Sequence, residues 1–282
     1  MTSLIDLHTH SHHSDGTLAP EALAKAAGAR GVHLLALTDH DTTAGLEACA
    51  AACRALGIQP VAGVEVTSLW RGQEIHVVGL GIDPGQPDLV AHLADIVRRR
   101  RIRITTILER LRRSPRLAAG EHFGSTLSDL EVPTRTHVAR ELMAAGAADS
   151  VQAAFERWLA RGRPGHVPAD WPAMEAAVGA IRAAGGQPVL AHPHRYRLSS
   201  GGRRALLGEF AAGGGAGLEL DLPGLSPSDA AQLAGLARTL GLAGSAGSDF
   251  HEPGQPWRPL GRFAKLPEGI EPLWTRLAQT PV

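Results

Sequence analysis

The 282-residue chain contains no apolar run long enough to span a bilayer, and Met1 to Asp6 lack the basic segment and long apolar stretch of a secretory signal. The expectation is a cytoplasmic protein with no membrane association. It also lacks an excess of either charge. Its 28 Lys and Arg balance 28 Asp and Glu, so there is no overall positive field to hold long nucleic acid non-specifically. Cysteine is nearly absent. Cys49 and Cys53 lie four apart in an Ala-rich stretch, where they share one helix face as small buried hydrophobes and have no second Cys pair to form a thiolate site.

What the chain does have is a set of imidazoles and carboxylates in short apolar-flanked motifs. Nine of them are candidate metal ligands: His8, His10, Asp15, His40, Glu65, His76, His192, Asp249 and His251. Nitrogen and oxygen donors without thiolates suit zinc, manganese or iron and argue against a structural zinc finger.

Short apolar runs predict seven strands at Leu4 to Leu7, Leu34 to Leu37, Val61 to Val66, Ile75 to Leu80, Pro188 to Ala191, Gly217 to Leu220 and Leu242 to Ala246. Helical segments lie between most of them, at Glu21 to Arg30, Thr43 to Leu56, Ala173 to Ala184, Arg204 to Ala212 and Asp229 to Leu240. Gly31, Gly57, Gly185 and Gly241 fall where helices should stop, and Pro20, Pro172 and Pro227 near helix starts. This alternation favours a parallel sheet, closed or open, with helices outside it. The interval from Asp88 to Pro172 breaks the rhythm: it reads as helices only, at Leu89 to Arg113, Val138 to Ala145 and Val151 to Arg161. The predicted fold is α/β, a barrel or open sheet formed by residues 1–87 and 173–282, with residues 88–172 inserted as a helical subdomain over the substrate pocket.

On this map the ligands gather at one end of the barrel. His8 and His10 follow the first strand, His40 the second, His192 the fifth, and Asp249 and His251 the seventh, while Glu65 is near the end of the third. In barrel enzymes that rim carries the chemistry. His76 stands near the start of its strand, yet a tight hairpin at Trp70-Arg71-Gly72-Gln73 would bring it opposite or diagonal to Glu65 and make one antiparallel pair. A His-x-His pair alone is a weak signal, because strand alternation often leaves two surface imidazoles on one face. In Thr38-Asp39-His40-Asp41, Asp41 or Thr42 is expected to cap the following helix, with His40 left for metal. Glu65 is stronger, since an acid in an apolar strand is rare unless paired or ligating. His12, His13, His33, His92, His122 and His166 have no such placement and read as solvated or packed residues.

Together these motifs resemble the polymerase and histidinol phosphatase family, usually called PHP. The matching blocks are His8-Thr9-His10 with Ser14-Asp15-Gly16, Thr38-Asp39-His40-Asp41, Ala191-His192-Pro193 and Gly247-Ser248-Asp249-Phe250-His251. The resemblance implies a distorted seven-stranded TIM-like β/α barrel with two to three divalent metals at its rim, manganese first, with zinc, iron or magnesium also compatible. It implies one metal on His8, His10, Glu65 and Asp249, a second on Asp15, His40 and His251, and a third on Glu65, His76 and His192, with Glu65 bridging. Val77 to Asp83, Arg135 to Arg140, Arg163-Pro164-Gly165 and Arg195-Tyr196 are similar to small stand-alone members that act on nucleoside 3′,5′-bisphosphates. His194 stands where such members have a small Gly.

The activity implied is hydrolysis of the 3′-phosphate by a metal-bridging water, assisted by Asp15, His40 and His137. No side-chain nucleophile is required. Arg100, Arg103, Thr134, Arg135, His137 and Arg195 are the expected substrate residues, because a second phosphate needs guanidinium forks. For most of the positions Arg98 to Arg103, a solvated helix face with i,i+4 pairs is the better reading. The alternatives are a 5′-to-3′ exoribonuclease on short RNA using the same site, a histidinol phosphatase, or a non-catalytic metal-binding accessory module. Amidohydrolases usually engage a Lys at a strand end, and no predicted strand here ends in one. The expected partner is a small nucleotide, with short RNA as the alternative, on a monomer or small homo-oligomer.

Overall fold

The computed structural model describes residues 4–117, 123–255, 257–262 and 265–277. His122 lies outside them. Seven strands, β1 (Leu4–Asp6), β2 (Val32–Leu37), β3 (Gln59–Trp70), β4 (Gln73–Leu80), β5 (Gln187–Leu190), β6 (Gly217–Asp221) and β7 (Ala243–Ala246), form one sheet in sequential order. Helices α1 (Pro20–Ala29), α2 (Leu46–Ala55), α6 (Met174–Ala183), α7 (Ser200–Ala212) and α8 (Pro227–Leu240) connect or flank them. Between β4 and α6 lie α3 (Pro87–Arg112), α4 (Arg135–Ala144) and α5 (Val151–Ala154), and α9 (Trp274–Leu277) follows β7. Among the described residues no helix is long and apolar enough to cross a membrane.

The strands read as continuous apolar runs because both faces of the sheet are covered. Leu35, Leu37, Val77 and Leu190 enter the large core shared with the helices. Their neighbours Leu34, Ala36, Val78 and Val189 turn the other way and meet Ile5, Leu7, Ala243 and Ala246 in a second cluster, so residues beside β1 and β7 pack together. Three backbone hydrogen bonds link the same ends: Leu7 N to Ala246 O (3.0 Å), Asp249 N to His8 O (2.9 Å) and His10 N to Phe250 O (2.9 Å). The segment between β4 and α6 has a cluster of its own, including Ile104, Ile107, Leu111, Leu142 and Trp158. Meanwhile Leu89, Leu93 and Ile96 at the start of α3 belong to the main core.

The β3–β4 hairpin turns at Arg71 and Gly72, both with positive φ (48° and 77°), as a two-residue type I′ turn requires. Two antiparallel pairs result where the sequence suggested one. Once β4 runs backwards inside a parallel sheet it opposes both neighbours, β3 and β5. A second correction concerns α2, which starts three residues later than expected, at Leu46, behind Gly45 with no side-chain cap. Neither Asp41 nor Thr42 caps it. Asp41 instead accepts from Thr67 N (2.7 Å), Thr67 Oγ1 (2.9 Å) and Arg100 Nε (2.6 Å), while Thr42 Oγ1 closes a local turn by accepting from Ala44 N (3.2 Å).

Candidate metal centre

All nine candidate ligands come together. Glu65 is the hub, fully buried near the middle of β3. Its Oε2 lies 3.2 Å from His8 Nε2, 3.2 Å from His10 Nε2 and 3.1 Å from His40 Nδ1. Its Oε1 lies 2.9 Å from His76 Nδ1 and 3.0 Å from His192 Nε2. The hairpin register pairs Glu65 with Val78 and Thr67 with His76, so His76 reaches Glu65 along the diagonal. Asp249 Oδ1 faces His10 Nε2 at 3.3 Å, and Asp15 Oδ1 faces His251 Nε2 at 3.3 Å.

Three groups have donor atoms within 4.8 Å of one another: His8, His10, Glu65 and Asp249; His10, Asp15, His40 and His251; and His40, Glu65 and His76. They overlap the three sets implied by the resemblance, except that His10 joins the second, and in the third His40 stands in place of His192, which touches Glu65 Oε1 but belongs to none of the groups. Two glycines make room. A Cβ on Gly16 would meet His10 O at 2.4 Å, and one on Gly247 would meet His8 Cβ at 2.4 Å. Of the four described non-glycine residues with positive φ, Asp41, His192 and Asp249 border this centre. Such conformations cost about 1–3 kcal/mol each and persist where surrounding contacts fix them.

The donor set fits divalent cations. Asp15 Oδ1, His40 Nδ1 and Glu65 Oε2 are buried without a hydrogen-bond partner, an arrangement that is costly unless a cation satisfies them. His8 Nε2 and His10 Nε2 face each other at 3.2 Å. His8 Nδ1 donates to Glu219 Oε1 at 2.7 Å, which leaves the Nε2 lone pair aimed at the centre. His251 is set the same way by donating from Nδ1 to Asp249 O (2.9 Å).

Electrostatics agree. Burial alone would raise the carboxyls of Glu65, Asp15 and Asp249, yet the surrounding imidazoles hold all three well below the ordinary carboxylate range. Burial pulls His10 down, but Asp249 and Glu65 outweigh it and push it up to about 10. Without a cation the cluster draws protons, so loading metal must release them.

The centre floors a cleft of about 770 Å³ that is also lined by Arg140, Arg195 and Arg258. Arg195 Nη1 bonds Asp249 Oδ2, Arg258 Nη1 lies 3.1 Å from that oxygen, and Arg140 Nη2 donates to Asp15 O at 2.9 Å. Thr134 and His137 form a capping box at the start of α4, and Thr134 Oγ1 lies 3.4 Å from Asp15 Oδ2. The His137 Nδ1 accepts from Thr134 N (3.1 Å), and burial lowers its pKa, so the ring is neutral with its proton on Nε2.

The other expected arginines are tied elsewhere. Arg100 is buried on Asp41 and Thr67, and Arg103 and Arg135 both bond Glu74. Arg98 and Arg99 pair with Asp95 at i,i+3 and i,i+4. His33 bonds Leu4 O on the exposed side of β2, and His13 faces Glu131 at 3.5 Å.

Sequence reasoning missed Glu219, Asp39, Arg140 and Arg258. Glu219 carried a readable signal, an acid in the apolar strand Gly217-Leu218-Glu219-Leu220. Asp39 receives Ser11 N, Ser11 Oγ and Ser14 Oγ within 2.5–2.8 Å and so shapes the loop that presents Asp15.

A mostly parallel sheet carrying a buried cluster of nitrogen and oxygen ligands around one carboxylate defines a metal-dependent phosphoesterase. The PHP domain model matches residues 6–161, and the chain belongs to the PHP family. It is 42% identical over 275 residues to the 5′-3′ exoribonuclease Rnm of Escherichia coli, covering 96% of this chain and 92% of that protein. It is 40% identical to the 3′,5′-nucleoside bisphosphate phosphatase of Chromobacterium violaceum, covering 97% and 96%. Among solved structures, a Chromobacterium violaceum protein described as an amidohydrolase, with sulfate bound and no metal, superposes with a TM-score of 0.90 at 39% identity over 97% of this chain and 95% of that one. Neither Lys25, in α1, nor Lys265 lies on a strand of this sheet.

Proposed function

We propose that the chain removes the 3′-phosphate of nucleoside 3′,5′-bisphosphates as a phosphoric monoester hydrolase. The observation that carries this reading is a metal-ligand floor and three arginines in one cleft, which gives the reacting phosphate and a second phosphate separate holds. The named activity of the Chromobacterium violaceum relative supports it. A 5′-to-3′ exoribonuclease on short RNA is the second reading, favoured by the Escherichia coli relative and by the same need for a 5′-phosphate hold. Either substrate assigns the chain to the compartment where nucleotides turn over, the cytoplasm.

His8, His10, Glu65 and Asp249, then Asp15, His40 and His251, then Glu65, His76 and His192 would hold two to three divalent cations, with manganese proposed. When bound, such ions supply Lewis-acid polarisation of phosphoryl oxygen and activation of water. Asp15 and His40 assist by orienting the attacking water, whose proton passes to solvent in the cleft. His137, neutral with Nε2–H, donates toward the leaving oxygen. Arg195, Arg140 and Arg258 with Thr134 take the second phosphate. Arg100, Arg103 and Arg135 act through Asp41 and Glu74, holding the wall beside His76 in place.

We further take the sheet as a distorted barrel of residues 1–87 and 173–282, on the strength of the backbone bonds between the β1 and β7 ends. Residues 88–172 are its helical cover, supported by their separate apolar cluster. The test is phosphate release from nucleoside bisphosphates, 5′-phosphorylated short RNA, histidinol phosphate and an aryl phosphate, with metal content measured alongside. The bisphosphates should lead. Strong preference for histidinol phosphate would overturn the proposal.

A further inference from the structure

Five large apolar side chains of the described residues are exposed: Leu56, Val90, Ile102, Met143 and Trp257. Scattered exposed hydrophobes need no explanation. Two of these five, however, line the metal cleft, together with the half-buried ring of Phe155. Trp257 is the most exposed of all, at 64%. Of its four other indoles, Trp274 packs partly buried against the cluster beside β1 and β7, and three are covered. Trp70, Trp158 and Trp171 are at least 94% buried, and each donates its indole N–H to Glu209, Ala147 or Glu74.

We infer that Trp257, with Phe155 and Met143 on the helical side of the same cleft, is a stacking platform for the nucleobase of the substrate. This rests on the proposed nucleotide reading and adds what that reading leaves open, namely how a phosphate-cleaving floor distinguishes a nucleotide from any other phosphate. Three features favour a base over another apolar group. An indole offers a large flat π-face, which every base can stack on. Arg258, its neighbour in sequence, lies 3.1 Å from Asp249 Oδ2, so the backbone beside the indole is tied to a metal ligand. Across the cleft Phe155 is braced by Arg135, whose guanidinium carbon sits 5.5 Å over the ring, and Met143 supplies a flexible, polarizable contact that adapts to different bases. Stacking of this kind accepts any base, because every base has a π-face.

Calorimetric binding of AMP and of ribose 5-phosphate, to wild type, Trp257→Ala and Trp257→Phe, tests this with a readout independent of turnover. Wild type should bind AMP more tightly than ribose 5-phosphate. Trp257→Ala should weaken AMP about tenfold and leave ribose 5-phosphate unchanged, whereas Trp257→Phe should stay near wild type. Indole fluorescence should be quenched by AMP in wild type and not in Trp257→Phe. Equal wild-type affinity for the two ligands, or an unchanged AMP to ribose 5-phosphate ratio in Trp257→Ala, would overturn the platform. Failure of the phosphatase reading has a different signature: no phosphate released from any nucleoside bisphosphate, whatever the binding ratio.

Discussion

Glu65 and Glu219 are both acids buried in apolar strands, and they do different work. Glu65 faces five imidazoles and has an oxygen without a hydrogen bond. Glu219 spends its two oxygens on His8 Nδ1 and His192 N, fixing which imidazole nitrogen points inward. Glu219→Gln should therefore weaken metal binding about 10–100-fold without altering the ligand set. Competitive metal titration with a chromophoric chelator checks this, and wild-type affinity in the variant would refute it. Glu65 was legible as an acid in an apolar strand. Glu219 carries the same signal in Gly217-Leu218-Glu219-Leu220 and was passed over, because its partners His8 and His192 are distant in sequence. Arg100 shows the opposite limit: the sequence reveals a cation on a helix but not that Asp41, 59 positions away, already holds it.

Between elements, one residue of β4 joins three others. Glu74 receives Arg103 Nη1 of α3 (3.0 Å), Arg135 Nη2 of α4 (2.7 Å) and Trp171 Nε1 (2.7 Å). Burial would raise its carboxyl, but Arg135 and Arg103 hold it well below the ordinary 4.5. The carboxylate is thus favoured by folding, and its contribution is complete above pH 4.5 and lost as the pH falls through the folded-state value. Glu74→Gln should cost roughly 2 kcal/mol at neutral pH, discounted for partial exposure. Urea unfolding across pH should show the gap between wild type and variant constant near neutrality and narrowing in acid; a gap that widens in acid would contradict this assignment. The hairpin before Glu74 was readable from Arg71-Gly72 and put His76 opposite or diagonal to Glu65, of which the register selects the diagonal. The start of α2 was not, since Asp41 looks like a cap until its long-range partners Thr67 and Arg100 are known.

At the scale of the molecule, the ligands come from both ends of the chain and from β3 and β4 in between, so cation binding and folding are linked. A ligand that binds only the folded state at about 100 times its dissociation constant adds about 2.7 kcal/mol. Stripping metal should lower the melting temperature by roughly 5 °C or more. Re-addition of manganese should restore it, and calorimetry before and after chelation measures both. An unchanged transition in metal-free protein would sever the link. The strand order was legible because helices and apolar runs alternate. The helices between β4 and α6 were legible as an interruption, though not as a group with its own apolar cluster, which depends on contacts between distant turns.

Asp6 accepts from the backbone of Ser248, 242 positions later, and Asp249 donates its own amide to His8, which ties two segments made far apart in time. At the usual pace of translation, roughly ten to fifty seconds separate their synthesis. By the time His76 is made, six of the nine candidate ligands are present, but the groups around His8 and around Asp15 still lack Asp249 and His251. Two of the three groups therefore close only after residues 249–251 are made, so full loading of the centre waits for that segment.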